Sequence, residues 1–230
     1  MPIRFSMTLQ CLPALLAAVP VTLAAQAVTL DFEKDAAGKP PAHFSTALTG
    51  SGKPGVWVVQ REDKAPSGSQ VLAQTNTDPT DYRFPVCVYD GARMADATLS
   101  VRFKPVSGKV DQAGGIVWRY QDQNNYYLVR ANAREDNVVL YKVKDGRRTD
   151  LPLVGKGRTY GVKARVASGV WHLLEVTVKG AHFTVRFDGA HLFEVEDTTF
   201  PGAGRVGLWT KADSYSQFDD FTYQSTDATR

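Results

Sequence analysis

The sequence predicts an all-β fold, a two-sheet antiparallel β-sandwich built as one domain over residues 28–230. Three observations lead there. Apolar residues recur with a period of two. Turn dipeptides fall between the apolar runs at the spacing of a meander. No window of ten residues beyond the N-terminal leader keeps an apolar stripe at helical spacing. About a dozen short strands are expected, with helix limited to a turn or so.

The first 27 residues read as a signal peptide, with Arg4, an apolar run over residues 12–25 and small residues at Ala25 and Ala27. The run is too short to span a bilayer, so cleavage after Ala27 is expected, with export to the periplasm or medium and no membrane insertion afterwards. Cys11 precedes the apolar run, which argues against a lipid anchor. Of the 27 Lys and Arg, only Arg4 lies in the leader, so 26 remain against 24 Asp and Glu. A nearly neutral chain gives no electrostatic reason to expect nucleic acid as a partner. Cys87 is the one cysteine left after cleavage, so no intrachain disulfide forms, and its place in Val86-Cys87-Val88-Tyr89 makes it a small buried apolar residue. Stability must come from the core, and a monomer is expected.

Along the chain, residues 35–54 are rich in Gly, Pro and Ser and read as surface loop. Leu99, Val101 and Phe103 alternate with Ser100, Arg102 and Lys104; Leu174, Val176 and Val178 with Glu175, Thr177 and Lys179; Phe183, Val185 and Phe187 with Thr184 and Arg186. Each set describes a strand with one dry and one wet face. Asp90-Gly91, Asp145-Gly146 and Asp188-Gly189 are hairpin dipeptides, because glycine supplies the positive φ that a two-residue turn requires. Further breaks fall at Ser107-Gly108, residues 122–125, Ser168-Gly169, Lys179-Gly180 and Pro201-Gly202, and residues 226–230 should fray.

From Ala113 onward the pattern is more specific. Gly114-Gly115-Ile116-Val117-Trp118-Arg119-Tyr120-Gln121-Asp122, Asn125-Tyr126-Tyr127-Leu128-Val129-Arg130 and Leu140-Tyr141-Lys142-Val143 resemble a three-strand meander of concanavalin A-like jelly-roll domains. Gly204-Arg205-Val206-Gly207-Leu208-Trp209-Thr210, Phe218-Asp219-Asp220-Phe221 and Asp31-Phe32-Glu33 agree with it. The resemblance covers roughly residues 31–223 and lies nearest the 3-keto-disaccharide hydrolase domains, which are similar to family-16 glycoside hydrolases. It implies the sandwich fold and a carbohydrate ligand. The family-16 catalytic strand, Glu-x-Asp-x-x-Glu, has its nearest counterpart in Glu194-Val195-Glu196-Asp197-Thr198-Thr199, where Thr199 replaces the last carboxylate. Glu194 and Glu196 therefore read as solvated positions opposite Phe193 and Val195, and no catalytic residue is assigned.

Sugar rings present apolar C–H faces and polar rims, so aromatic platforms beside fixed donors are the pattern to seek. The meander supplies Trp118, Arg119, Tyr120, Tyr126, Tyr127, Arg130 and Tyr141. If Tyr120 opposes Tyr126, then Arg119 opposes Tyr127 on one face with Val117 and Val129; a one-residue shift of register mixes these assignments. Arg119, Tyr127 and Arg130 are placed beside a groove, Trp118 is open between core and site, and ordinary packing is the alternative for the whole set. With Val206 and Leu208 inward, Arg205, Trp209 and Lys211 share the opposite face beside Gly207, with Asp213 following. Trp209 is then an outward sugar platform or, if loops cap that face, a second small core. The ligand-binding set is Arg119, Tyr127, Arg130, Trp209, Lys211 and Asp213.

The family-16 likeness also implies a structural calcium near the terminal strands, for which Asp31, Asp219 and Asp220 are the carboxylates available. No other cofactor is expected. His43, His172, His182 and His191 lack the spacing of a zinc site. Residues 142–165 form a basic segment that suits an anionic polysaccharide such as a uronate polymer, or an ordinary solvated exterior. Three functions stay open: binding of a glycan or disaccharide across one sheet; glycoside hydrolysis or lysis, including of 3-keto-glycosides, with an acid/base among Asp122, Glu135 and Asp213; and an envelope protein-interaction module.

Overall fold

The computed structural model describes residues 1–3 and 26–227, and in them sixteen β-strands and no helix. The leader's apolar run, Arg4 and Cys11 lie outside the described residues, as do residues 228–230. The strands are β1 (Val28–Leu30), β2 (Phe44–Gly50), β3 (Trp57–Arg61), β4 (Gln70–Gln74), β5 (Arg83–Met94), β6 (Ala97–Ser107), β7 (Ala113–Asp122) and β8 (Asn125–Asn132). They continue with β9 (Asn137–Lys144), β10 (Arg147–Asp150), β11 (Val162–Lys163), β12 (His172–Lys179), β13 (His182–Phe187), β14 (Ala190–Glu196), β15 (Gly204–Thr210) and β16 (Tyr215–Ser225). All pairings are antiparallel. The first sheet has the order β14-β13-β12-β6-β16-β4-β3 with β1 also on β16; the second has the order β10-β9-β8-β7-β15-β5-β2 with β11 also on β9.

The first sheet alternates as expected. Leu99, Val101 and Phe103 of β6, Leu174, Val176 and Val178 of β12, and Phe183 and Val185 of β13 point inward and are fully buried, while their neighbours face water. They meet Cys87, Ile116, Trp118, Tyr127, Val129, Leu140, Val206 and Leu208 of the second sheet in one continuous core. Phe183 crosses the gap between the layers. Its ring packs edge-on to Trp118 at 5.3 Å and to Tyr127 at 4.9 Å, and those two rings stack on each other at 5.6 Å. Each such buried ring contributes about 1.5–3 kcal/mol. Cys87 lies in this core, where burial pushes its thiol up well above the ordinary range.

The second sheet does not alternate. In β7, β8, β9 and β15 consecutive residues are buried on both faces. The outward side chains form a second apolar cluster of Phe84, Val86, Val88, Ala113, Val117, Tyr120, Tyr126, Leu128, Val139, Tyr141, Val143 and Trp209. Among the described residues no further layer of strand or helix lies over that face.

Two of the three hairpin dipeptides turn the chain. Asp145 and Gly146 have φ of 52° and 76° between β9 and β10, and Asp188 and Gly189 have 47° and 80° between β13 and β14, the double positive φ of a type I′ turn. Asp90-Gly91 instead runs through the middle of β5. There Asp90 donates its N–H to the His43 carbonyl, and its carboxylate binds Arg205, so the pair is ladder and anchor, with no positive φ at Gly91. The expected loop over residues 35–54 also contains a strand, β2, which pairs with β5 on one side only. An edge strand half in water carries a weak apolar period, which is why composition hid it.

Close packing between the layers makes a prediction at Gly114. A Cβ built there lies 2.5 Å from Phe103 Cδ2 and 3.2 Å from Phe218 Cε1. Gly114→Val should cost about 1–3 kcal/mol by overpacking, read as a lowered midpoint in urea. Gly202→Ala, where an added Cβ meets nothing within 4 Å, should stay within about 0.5 kcal/mol of the parent.

Candidate functional site

The six expected ligand residues do not share a groove. The cause begins at a β-bulge in β7. Opposite β15, Val117 faces Gly207 and Tyr120 faces Arg205, so two residues of β7 oppose the single Val206. Arg119 takes φ of 47°, Trp118 keeps its inward place opposite Tyr127, and Tyr120 turns outward beside Tyr126 at 5.6 Å. Gly204 is required here, because a Cβ on it would lie 2.3 Å from the Arg119 carbonyl carbon.

The bulge sends Arg119 to the end of the inner core. Its Nε donates to the Ala95 carbonyl at 2.9 Å, Nη1 to Phe200 at 2.8 Å, and Nη2 to Gly180 at 2.6 Å and to Asp96 Oδ1 at 3.2 Å. Arg119 thus ties three loops together and offers a ligand nothing. Tyr127 is likewise a core residue. Its hydroxyl donates to Asp197 Oδ1 at 2.6 Å and accepts the Phe200 N–H at 3.0 Å. Val117, expected beside Arg119 and Tyr127, faces the other way.

Asp213 is structural too. Its carboxylate accepts the backbone N–H of Lys109 at 2.6 Å, Val110 at 3.0 Å and Asp111 at 2.9 Å, closing the loop after β6. Burial opposes ionisation there, but those N–H donors outweigh it and hold the carboxyl below the usual range. Lys211 Nζ bridges Asp81 at 2.7 Å and the buried Asp111 at 2.8 Å. Burial works against its charge, and the two carboxylates more than restore it.

Trp209 and Arg130 lie on the outer face of the second sheet. Trp209 has the orientation expected, opposite Val206 and Leu208, but it is fully buried in the second cluster, stacked on Phe84 at 5.4 Å and 25°. Burial, not display, is its state. Arg130 donates to Glu135 Oε2 at 2.7 Å, to the Tyr141 hydroxyl at 3.1 Å and to Asn137. The residues that lie over Trp209 were not singled out from sequence. Arg148 of β10 sets its guanidinium 4.5 Å from the ring centres of both Phe84 and Tyr141 and 5.7 Å from Trp209. Tyr82 meets Phe84 edge-on at 4.7 Å, and Tyr160 meets Tyr141 at 6.1 Å. Tyr82 and Tyr160 are 42% and 45% exposed, so this patch carries open aromatic rings at its rim. Arg205 lies over Tyr120 at 5.2 Å. Arg148 stood in the sequence only within a basic segment, and Tyr82 and Phe84 had no motif around them.

The carboxylates considered for calcium are engaged by protein donors. Asp219 accepts the Ser67 N–H at 3.0 Å and the Asp220 N–H at 2.8 Å, Asp220 accepts the Ser67 hydroxyl at 2.7 Å, and Asp31 accepts the Glu33 N–H at 3.2 Å. Burial pushes the Asp219 carboxyl up to about 7. Among the described residues no three His, Cys, Asp or Glu side chains come together as a metal-binding group. Glu194 and Glu196 face outward beside His182, at 3.2 and 3.4 Å, while Phe193 and Val195 are buried.

No family model matches the chain, and no curated protein matches it. Solved structures do. A carbohydrate-binding module, CBM66, from Bacillus subtilis is 18% identical with a TM-score of 0.58, over 78% of this chain and 95% of that one. Cellulose induced protein Cip1 is 13% identical with a TM-score of 0.62, over 86% and 97%. Domain 4 of AbnA, a GH43 extracellular arabinanase from Geobacillus stearothermophilus solved with arabinotriose, is 14% identical with a TM-score of 0.56, over 90% and 96%. At these identities the likeness establishes the fold, a lectin-like jelly-roll sandwich. The narrower resemblance to 3-keto-disaccharide hydrolase domains has no match behind it.

The Asp213 nest makes a pH prediction. Because its folded pKa is lowered from 3.8, its stabilisation is present above that value and is lost as the pH falls through the lower folded one. Asp213→Asn should therefore cost about 2 kcal/mol near neutral pH, and the gap to the parent should close in strong acid, as followed by denaturant melts across pH.

Proposed function

We propose that the chain is an exported glycan-binding sandwich that takes its ligand at the outer face of the second sheet. The observation that carries this reading is the pair of exposed rings, Tyr82 and Tyr160, packed with the cation of Arg148 against the buried rings of Phe84, Tyr141 and Trp209. Exposed aromatic rings beside a fixed cation match the C–H faces and hydroxyl rims of sugars. Two sandwiches of the same fold support it: one is described as a carbohydrate-binding module, and another was solved with arabinotriose.

Binding without hydrolysis is the simpler reading. Of the carboxylates considered for acid/base chemistry, Glu135 is held ionised by Arg130 against the effect of burial, and Asp213 by backbone N–H groups. A general acid needs the opposite shift. Asp122 caps its own turn, accepting the Asn124 N–H at 2.7 Å.

A glycan array followed by calorimetry tests this. Tyr82→Ala and Tyr160→Ala should each weaken the best glycan about tenfold with little change in melting temperature, and incubation should release no sugar. Undiminished binding in both variants would place the ligand elsewhere, and product formation would replace binding with catalysis.

A further inference from the structure

We propose that the saccharide taken at this face carries a carboxylate, as a uronate unit does, and that Arg148 holds it; this rests on the reading that the face binds glycan. The inference comes from comparing the arginines. Arg83 donates to the carbonyls of Lys53, Pro54 and Ala212, Arg119 to three carbonyls and Asp96, Arg130 to Glu135 and Asn137, and Arg205 to Asp90. Arg148 has aromatic rings instead of acids. Phe84 and Tyr141 each lie 4.5 Å from its guanidinium, and its Nη1 is buried with no hydrogen-bond partner. Asp81, a carboxylate that feels the Arg148 charge, is bonded to Lys211 at 2.7 Å.

A cation packed against rings has been stripped of water on those sides, and the rings accept none of its N–H groups. A buried unpaired donor costs free energy until an acceptor arrives. A carboxylate presents two oxygens to a guanidinium fork, and that of Arg148 is paired with no protein carboxylate. Tyr82 and Tyr160 at the rim then meet the C–H face of the same sugar. The backbone N–H of Arg148 donates to the Tyr82 hydroxyl at 2.7 Å, so the cation and this platform are fixed to each other.

The test is calorimetry of the full exported chain with a short oligogalacturonate, the same oligomer with its carboxyls reduced to alcohols, and a sulfated oligogalactan. The oligogalacturonate should bind at least about tenfold tighter than the reduced oligomer, and more weakly as salt rises. Arg148→Met should bring the oligogalacturonate down to about the affinity that the same variant shows for the reduced oligomer. Should the Met variant unfold, Arg148→Lys keeps the charge, loses the fork and should give a smaller loss; the comparison of the two oligomers needs no variant. Equal affinity for the charged and reduced oligomers, or preference for the sulfated one, overturns the carboxylate assignment while leaving glycan binding intact. Silence with every saccharide, on this panel and on the array, removes the glycan reading itself.

Discussion

The second sheet is apolar on both faces; the first sheet covers one, and on the other Arg148 of β10 lies over the rings of Phe84, Tyr141 and Trp209. Inward, Ile116, Trp118, Tyr127, Val129, Val206 and Leu208 are sealed by the first sheet, with Phe183 wedged between Trp118 and Tyr127. Outward, Val117, Leu128, Val139, Tyr141 and Trp209 form a second cluster that is equally buried. Burying the first set is what makes the chain fold, since each large side chain removed from water is worth about 1.5–3 kcal/mol. The second set is buried as well, beneath Arg148 and beside the exposed rings of Tyr82 and Tyr160, and the functional reading rests on that cover.

Around the inner core, Arg119, Lys142 and Asp197 are each partnered. Arg119 is saturated by carbonyls of three loops and Asp96, Lys142 pairs with Asp197 at 2.7 Å, and Asp197 also receives the Tyr127 hydroxyl. These contacts fasten loops to a finished core and leave no valence for a ligand. On the outer face, Arg148 Nη1 and Arg205 Nε are buried without a partner. Trp57 and Trp118 also leave their indole N–H groups unpartnered in the inner core, so what distinguishes the outer face is that its unpartnered donors include guanidinium groups.

Much of the fold was legible in the sequence. Strands of the first sheet announced themselves because one face is wet and the other dry, so Leu99, Val101 and Phe103 alternate with polar neighbours. Asp145-Gly146 and Asp188-Gly189 turned where glycine permits positive φ. Asp90-Gly91 misled, since the same dipeptide also serves inside a strand when the Asp side chain binds across to Arg205. The site was harder to read for two physical reasons. A bulge changes side-chain parity without a marker in composition, so Arg119 fell to the end of the inner core while Tyr120 turned outward. Alternation correctly gave the face of Trp209 but said nothing of what stacks over it, because Phe84 and Arg148 reach it from β5 and β10, far off in the chain.

The central claim is that the ligand lies on the outer face of the second sheet, and the tryptophan side chains report on it directly. Of the four, Trp57 and Trp118 lie in the inner core, Trp171 donates its indole N–H to the Lys64 carbonyl at 2.8 Å, and Trp209 alone belongs to the outer cluster. In a two-dimensional amide spectrum titrated with a bound saccharide, the indole N–H signal of Trp209 should shift progressively while that of Trp171 stays in place. A saturating titration that leaves the Trp209 signal unmoved, or moves only that of Trp171, would contradict the account.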